Sequence, residues 1–314
     1  MLLKIGTRRS PLAMAQTNYI MGLIKAKHPQ TEFSLHPIAT VADRDRVSEF
    51  HQFGMIGVFS TEHEEQLISG EADIIVHSLK DLPTTLRDGL VLAAVPERAD
   101  PRDGLCGSTL ADLKPGARVG TGSLRRRAQI KHLRPDVEVV PIRGNVGPRL
   151  AKIDGEDGLD AVILAQAGLQ RLGLERATSE LLDPHVFPYA VGQGALGVEA
   201  RAADAEILAL LKDIEDPRAR AEVDCERAML HSLGAGCSLP VGASTSWDGD
   251  QLTLRAQITS LDGQKCIVAS ETAPSTQAVE LGLATADVLR KRGGVEILES
   301  SYRSFGGHFK FIGA

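Results

Sequence analysis

The chain has 314 residues, 43% of them hydrophobic and 24% charged, an ordinary globular balance with room for two or three cored domains. Its 35 basic and 41 acidic residues leave a net charge of −6, which excludes a globally basic face for nucleic acid, so any anion site must be a local cluster. Aromatics, at 4%, are too scarce for a base-stacking surface.

Residues 2–6 read as a strand, and Ser10-Pro11 as a helix start, with serine as N-cap and proline at the first position, where no hydrogen bond is lost. Leu12, Met14, Ala15, Tyr19 and Leu23 are the apolar face expected of that helix. A strand over Phe33–Thr40, a helix over Thr61–Ser69 closed by Gly70, and strands over Ala72–His77 and Leu90–Val95 follow. The pattern then repeats: strand Ala117–Gly120, helix Ser123–Leu133 stopped by Pro135, strand Val137–Ile142, a short helix over Val146–Ile153, strand Asp160–Leu164 and a helix near Leu169–Leu172. Strands alternating with helices imply βαβ units and mostly parallel sheets, here in two blocks split near residues 96–103. The last third differs. Helices over Arg218–Leu233 and Thr276–Arg292 flank a hairpin of Gln251–Ser260 and Gln264–Glu271 around Asp262-Gly263, an α+β module from about residue 216.

The four cysteines, Cys106, Cys225, Cys237 and Cys266, form no C-x-x-C pair, so a reducing compartment is expected and no metal site. The opening Met-Leu-Leu-Lys-Ile-Gly-Thr is already a strand, with no charged and apolar leader, and no window offers 18 uncharged apolar residues. A cytoplasmic protein is the expectation.

Arg118-Val-Gly-Thr-Gly-Ser-Leu-Arg-Arg-Arg127 places a glycine-rich turn between a strand and a helix, where free N–H groups and the helix dipole favour an anion. Thr121 and Ser123 add hydroxyls, and Arg125 and Arg126 add forked cations suited to carboxylates. A dinucleotide fingerprint would need glycine at position 125. Pro141-Ile-Arg-Gly-Asn-Val-Gly-Pro-Arg149 repeats the theme with Arg143 and Arg149, as do Arg8-Arg9-Ser10 after the first strand and Arg171 after Asp160–Leu164. All four groups fall beyond strand carboxyl ends, where open α/β sheets bind ligands. One arginine there is commonly just solvated; four such placements point to a ligand with several carboxylates or phosphates.

Lys80-Asp81 sits just past a buried strand, where lysine would keep the carboxylate ionised to stabilise a cation or shuttle a proton; the bland alternative is a surface ion pair. His77, ending that apolar strand, reads as structural rather than as a base. Cys237, in Leu233-Gly-Ala-Gly-Cys-Ser-Leu-Pro-Val-Gly242, is flanked by small residues and so is accessible as a nucleophile or attachment point, against the plainer reading of an inert loop cysteine. The metalloprotease, serine-hydrolase and Walker motifs are absent from the sequence.

Six segments in order resemble the hydroxymethylbilane synthase family over almost the whole chain: Arg8-Arg-Ser-Pro-Leu-Ala-Met-Ala-Gln16, His77-Ser-Leu-Lys-Asp-Leu-Pro83, Gly120-Thr-Gly-Ser-Leu-Arg-Arg126, Arg143-Gly-Asn-Val-Gly-Pro-Arg149, Ala190-Val-Gly-Gln-Gly-Ala-Leu-Gly197 and Gly234-Ala-Gly-Cys237. The resemblance implies two type 2 periplasmic-binding-protein-like α/β domains and a small α+β C-terminal domain. It also implies a return of the chain to the first domain after residue 190. The expected division is residues 1–97 with 194–214, then 98–193, then 215–314 with the cofactor cysteine.

The implied activity is head-to-tail joining of four porphobilinogen molecules, with loss of ammonia, on a dipyrromethane cofactor, then hydrolysis to hydroxymethylbilane in tetrapyrrole and heme biosynthesis. By resemblance, a thioether to Cys237 carries the dipyrromethane, and Asp81 hydrogen-bonds the pyrrole nitrogens and stabilises the azafulvenium left when ammonia departs. Lys80, Thr121, Ser123, Arg125 and Arg126 would hold the cofactor's acids; Arg8, Ser10, Gln16, Arg143, Arg149 and Arg171 would hold the incoming substrate. The expected partner is porphobilinogen, without nucleic acid or membrane, for a monomer with room for transient contact with the next enzyme.

One loop departs from the family pattern: Gly54-Met-Ile-Gly-Val-Phe-Ser-Thr61 has Ile56 and Thr61 where the family commonly has lysines, and Thr40-Val-Ala-Asp43 stands for Thr-x-Gly-Asp. Altered chain handling or rate is the expectation there. Two rival readings are a non-enzymatic polyanion-binding protein of the same fold and a nucleic-acid-binding protein using Arg125–Arg127.

Overall fold

The computed structural model describes residues 1–38, 61–153, 155, 158–234 and 239–304. The loop from Gly54 to Ser60, with Ile56, the segment Thr40–Asp43 and Cys237 lie outside the described residues.

The first sheet has the order β2-β1-β3-β10-β4. Its strands are β1 (Leu2–Arg8), β2 (Glu32–Ile38), β3 (Ile74–Ser78), β4 (Leu90–Ala94) and, from far along the chain, β10 (Leu196–Arg201). β1 is parallel to β2 and β3, while β10 is antiparallel to both β3 and β4. Helices α1 (Pro11–Lys27) and α2 (Thr61–Ser69) link the early strands.

The second sheet repeats this plan as β7-β6-β8-β5-β9. It comprises β5 (Asp103–Cys106), β6 (Arg118–Gly120), β7 (Glu138–Val140), β8 (Ala161–Ala165) and β9 (Thr178–Leu181). The parallel trio is β7-β6-β8, with β5 antiparallel to its two neighbours. Helices α3 (Leu124–Leu133), α4 (Val146–Leu150) and α5 (Gln166–Arg171) connect them, and α6 (Ala205–Lys212) follows β10. In each sheet the fourth strand is the one reached by crossing from the other sheet, the strand order of the type 2 periplasmic-binding-protein fold. The third domain is an antiparallel sheet, β11 (Val241–Asp248), β12 (Gln251–Thr259) and β13 (Cys266–Pro274), with helices α7 (Pro217–Ser232), α8 (Ala278–Lys291) and α9 (Gly294–Arg303).

Each sheet owns a core. Leu3, Ile5, Ile24, Ile74, Val198 and Leu211 fill the first; Leu105, Val119, Ile130, Ile163 and Phe187 the second; Cys225, Met229, Leu254, Ala256, Leu289 and Leu298 the third. Among the described residues, no helix is long and apolar enough to cross a membrane.

The local signals hold where they are local. Ser10 caps α1 by accepting from the Ala13 amide, and Pro11 takes the first helical position. The hairpin turns at Gly263, whose φ of 79° suits glycine. The expected apolar face of α1 is only partly right, with Leu23 packed against the core. The helix beds on the sheet through Gln16, Thr17, Ile20 and Ile24, and Tyr19 is exposed. Two of these buried residues are polar, so hydropathy hides them; Gln16 bonds Ser78 at 2.6 Å and Thr17 bonds Thr7 at 2.7 Å, which satisfies them. Strands β5, β9, β10 and β11 were not expected from periodicity. β5 lies in the stretch read as a boundary, and β10 carries the fully buried Glu199 inside an otherwise apolar run.

Candidate active site

The described residues among those singled out from sequence follow the carboxyl ends of parallel strands in both sheets. β1 ends at Arg8 and leads through Ser10 into α1, which carries Gln16. β3 runs into a single 3-10 turn, Leu79–Asp81, which presents Lys80 and an exposed Asp81. From the second sheet, β6 leads through Thr121 and Ser123 to Arg125 and Arg126 on α3, β7 to Arg143 and Arg149 about α4, and β8 to Arg171 on α5.

The glycine-rich turn is built by close approach. A Cβ on Gly122 would stand 2.7 Å from the Ile142 carbonyl oxygen, so only glycine lets the two strand-end loops touch. Thr121 Oγ1 accepts from the Ser123 amide at 3.2 Å, and Ser123 Oγ caps α3 by accepting from the Arg126 amide at 3.4 Å. Both hydroxyl oxygens thus accept within the turn, and both hydroxyl protons stay available to an anion.

Arg125 and Arg126 are not solvated, as a bland reading would have it. They are 3% and 5% exposed and converge on Asp103, which is fully buried. Arg125 Nη2 reaches Asp103 Oδ2 at 2.8 Å, and Arg126 reaches Oδ1 through Nη2 at 2.7 Å and Nε at 3.1 Å. Burial alone would raise the Asp103 pKa, but the two guanidinium charges outweigh it and hold the carboxyl well below the usual range. Arg125 is further committed to Gln129 and to the Pro188 carbonyl, each at 2.8 Å, so it also braces the crossing segment. Its Nε is buried without a hydrogen bond, as is that of Arg149.

One carboxylate against two arginines leaves the site cationic. Lys80 lies close enough to feel this: burial first, then Arg126, pushes its pKa down to about 8, with Asp81 and Asp103 opposing. Arg149 is lowered by burial and by Arg126, again opposed by Asp81. Lys80, Asp81, Arg126 and Arg149, from three different strand ends, therefore share one electrostatic neighbourhood. Arg8 and Arg143 are half-buried.

Arg171 takes a different position. Its Nη2 donates to the Gly194 carbonyl at 2.6 Å, and burial lowers its pKa to about 10. With Ala15, Tyr19, Glu97, Arg98 and Ala99 it lines a cavity of about 390 Å³ at the crossing segments. Gln16 is also different from expectation in its contacts: it is 4% exposed and donates to Ser78, beside the turn that carries Lys80 and Asp81. His77 is structural as read, bonded to Glu199 at 2.9 Å.

Sequence reasoning missed Asp103, Gln193 and the pair Arg98–Glu226. Arg98 bonds Glu226 through Nη1 at 2.8 Å and Nη2 at 3.1 Å, and Glu226 also accepts from the Gly192 amide at 2.7 Å, tying the third domain to the crossing segments. Arg227 of α7 donates to the carbonyls of Leu82 and Pro83, at 3.1 and 2.6 Å, just after Asp81. The helix that precedes Cys237 in the sequence is thereby fastened to the turn bearing Asp81. The three described cysteines are poor nucleophiles: burial raises Cys225 well above its ordinary value, Cys106 to about 11, and Cys266 as well.

Comparison with known proteins bears on what such a cationic cleft holds. Residues 3–209 match the family model described as porphobilinogen deaminase, dipyromethane cofactor binding domain, and residues 220–291 match the porphobilinogen deaminase C-terminal domain. The porphobilinogen deaminase of Roseiflexus castenholzii is 46% identical over 299 residues, covering 94% of this chain and 98% of that one. Those of Brevibacillus brevis and a Synechococcus species are 42% and 43% identical, over 96% and 94% of this chain and 97% and 95% of theirs.

Proposed function

The chain belongs to the porphobilinogen deaminase family, and from that membership we propose how its residues divide the work. It is a transferase of tetrapyrrole and heme biosynthesis, a hydroxymethylbilane synthase. It joins four porphobilinogen molecules head to tail on a dipyrromethane, with loss of ammonia at each joining, and water then releases hydroxymethylbilane. The reading as a non-enzymatic polyanion receptor gives way to this one.

Porphobilinogen and dipyrromethane both carry acetates and propionates, and the donor set suits them. Lys80, Arg125, Arg126, Thr121 and Ser123 are assigned to the dipyrromethane's acids, and the buried, unbonded Nε atoms of Arg125 and Arg149 support a carboxylate-bearing occupant. When bound, the dipyrromethane supplies the free pyrrole carbon to which the first substrate is joined. Cys237 is assigned as its thioether anchor, a reading supported by the raised pKa values of the three described cysteines. Arg8, Ser10, Gln16, Arg143, Arg149 and Arg171 are assigned to incoming substrate; Gln16 acts there through Ser78, given its bond.

Asp81 is the catalytic residue in this reading. When porphobilinogen sheds ammonia, the cation left on the substrate needs a fixed negative charge, and Asp81 is the exposed carboxylate amid Lys80, Arg126 and Arg149. Those cations grip the substrate's acids, which leaves the carboxylate to face the pyrrole nitrogen. The observation that carries the proposal is this sharing of one charged neighbourhood by residues from three strand ends.

We also propose a cytoplasmic monomer that meets the next enzyme only transiently, and domains of residues 1–97 with 194–214, 98–193 and 215–314, a division supported by the three sheets. Intact-mass measurement tests the anchor. Freshly made active protein is expected to exceed its sequence mass by a dipyrromethane, and Cys237→Ser to lack that excess. An unmodified mass in active protein would overturn the assignment.

A further inference from the structure

The amide side chain of Gln193 has all of its hydrogen-bonding capacity in use. Residue 193 lies in the segment that returns from the second sheet to the first and is 1% exposed. Its Nε2 donates to Asp103 Oδ1 and to the Pro101 carbonyl, both at 2.8 Å. Its Oε1 accepts from Lys80 Nζ at 3.3 Å and from Arg126 Nη2 at 3.4 Å. Two donors and two acceptor positions are filled, which leaves none for a ligand.

The partners divide by sheet. Lys80 follows β3 of the first sheet; Asp103 and Arg126 belong to β5 and α3 of the second. The Gln193 backbone is fixed independently of the side chain: its carbonyl accepts from Arg98 Nε at 2.9 Å, its amide donates to the Ala190 carbonyl at 2.8 Å, and a Cβ on neighbouring Gly194 would stand 2.4 Å from the Ala99 carbonyl oxygen. A rigid support therefore carries a carboxamide whose dipole is oriented by Asp103 at one end and presented to Lys80 at the other. A half-buried ammonium beside Arg126 is costly without an acceptor, and Gln193 Oε1 is the side-chain acceptor that Lys80 meets among the described residues.

We propose that Gln193 is a positioning residue that holds the Lys80 ammonium charged and aimed into the cleft, acting through Lys80 and transmitting the Asp103–Arg126 clamp from one sheet to the other. The inference rests on Lys80 gripping carboxylates, as assigned above.

Two measurements on the purified holoenzyme test it, with Gln193→Met as the variant that keeps length and removes both amide atoms. The first reads Lys80 directly, as the pH dependence of its acylation followed by peptide mass spectrometry. The Lys80 titration is expected to move to lower pH in Gln193→Met, while the surface residue Lys265 does not change. An unmoved titration would overturn the proposal. The second is a cycle of Gln193→Met, Lys80→Met and the double variant, read as kcat/KM. Loss of one hydrogen bond to a charged group is expected to slow Gln193→Met roughly tenfold, and the double variant should be no slower than Lys80→Met alone. Multiplication of the two losses would mean that Gln193 acts as general support and not through Lys80, and would overturn the proposal. Should Lys80→Met keep full activity, the assignment of Lys80 itself fails, and the titration still decides whether Gln193 holds the ammonium. Gln193→Glu is a check on folding: it keeps an acceptor facing Lys80, now on a carboxylate, and sacrifices the donors to Asp103 and Pro101, so thermal stability should fall while the Lys80 titration does not move to lower pH.

Discussion

Arg126 and Asp103 meet in a fully enclosed pair, with Nη2 and Nε of the arginine both on Oδ1 of the aspartate, at 2.7 and 3.1 Å. With Arg125 on the other oxygen, one carboxylate compensates two buried cations. Asp103→Asn removes that compensation and is expected to cost about 3–5 kcal/mol in urea unfolding, the range for an orphaned buried charge. Because the folded carboxyl sits below its unfolded value, this stability is present above about pH 4 and lost as the pH falls through the depressed folded value. A wild-type acid transition unchanged in Asp103→Asn would refute the reading.

Asp81→Asn is expected to fold normally and to keep its dipyrromethane by intact mass, while turnover of porphobilinogen falls roughly 100- to 1,000-fold, the scale set by removing a charge that faces the transition state. Full activity would defeat the assigned role.

Lys80 supplies a pH test. Its value of about 8 in the folded protein lies below the ordinary lysine value of 10.5, so taking the ammonium out of water destabilises the fold below pH 8 and that cost is relieved as the pH rises from 8 toward 10.5. Function runs the other way, since the neutral amine no longer grips carboxylates. Uptake of the dipyrromethane by protein made without it should fall as the pH passes about 8, and Lys80→Arg should carry that limb to higher pH. Identical profiles would count against Lys80 as a carboxylate ligand.

Arg143 separates cofactor from substrate. It follows β7 and is assigned to incoming substrate, and Arg143→Ala should retain the bound dipyrromethane yet show roughly tenfold lower kcat/KM, as expected for one lost charge-assisted contact. Disappearance of the mass excess would contradict the split.

How much of this was legible beforehand follows from distance along the chain. Ser10, Ser123 and Gly263 act on neighbours within three or four residues, and those signals read correctly. The placement of the arginines past strand ends was legible as well, because a βαβ alternation fixes where strand ends point. Asp103 was lost inside Pro101–Gly104, whose turn-forming composition suggested a boundary; the strand there is short and its carboxylate is matched by residues 22 and 23 positions away. Gln193 bonds partners 90 and 113 residues away, and nothing local marks such a residue. The misread face of α1 has the same origin, for Gln16 is buried by virtue of Ser78, 62 residues on.

The exchanged strands bear on how the protein is made. The first sheet holds β10 between β3 and β4, so its middle is missing until residues 196–201 have been synthesised, roughly 100 residues after β4. At ribosomal speeds of about 5–20 residues per second, that leaves an interval of roughly 5–20 seconds in which β3 and β4 have unpaired edges. An N-terminal fragment ending near residue 97 should therefore fail to fold on the ribosome or off it, and a nascent chain of this protein should be a chaperone client until the return strand emerges from the exit tunnel.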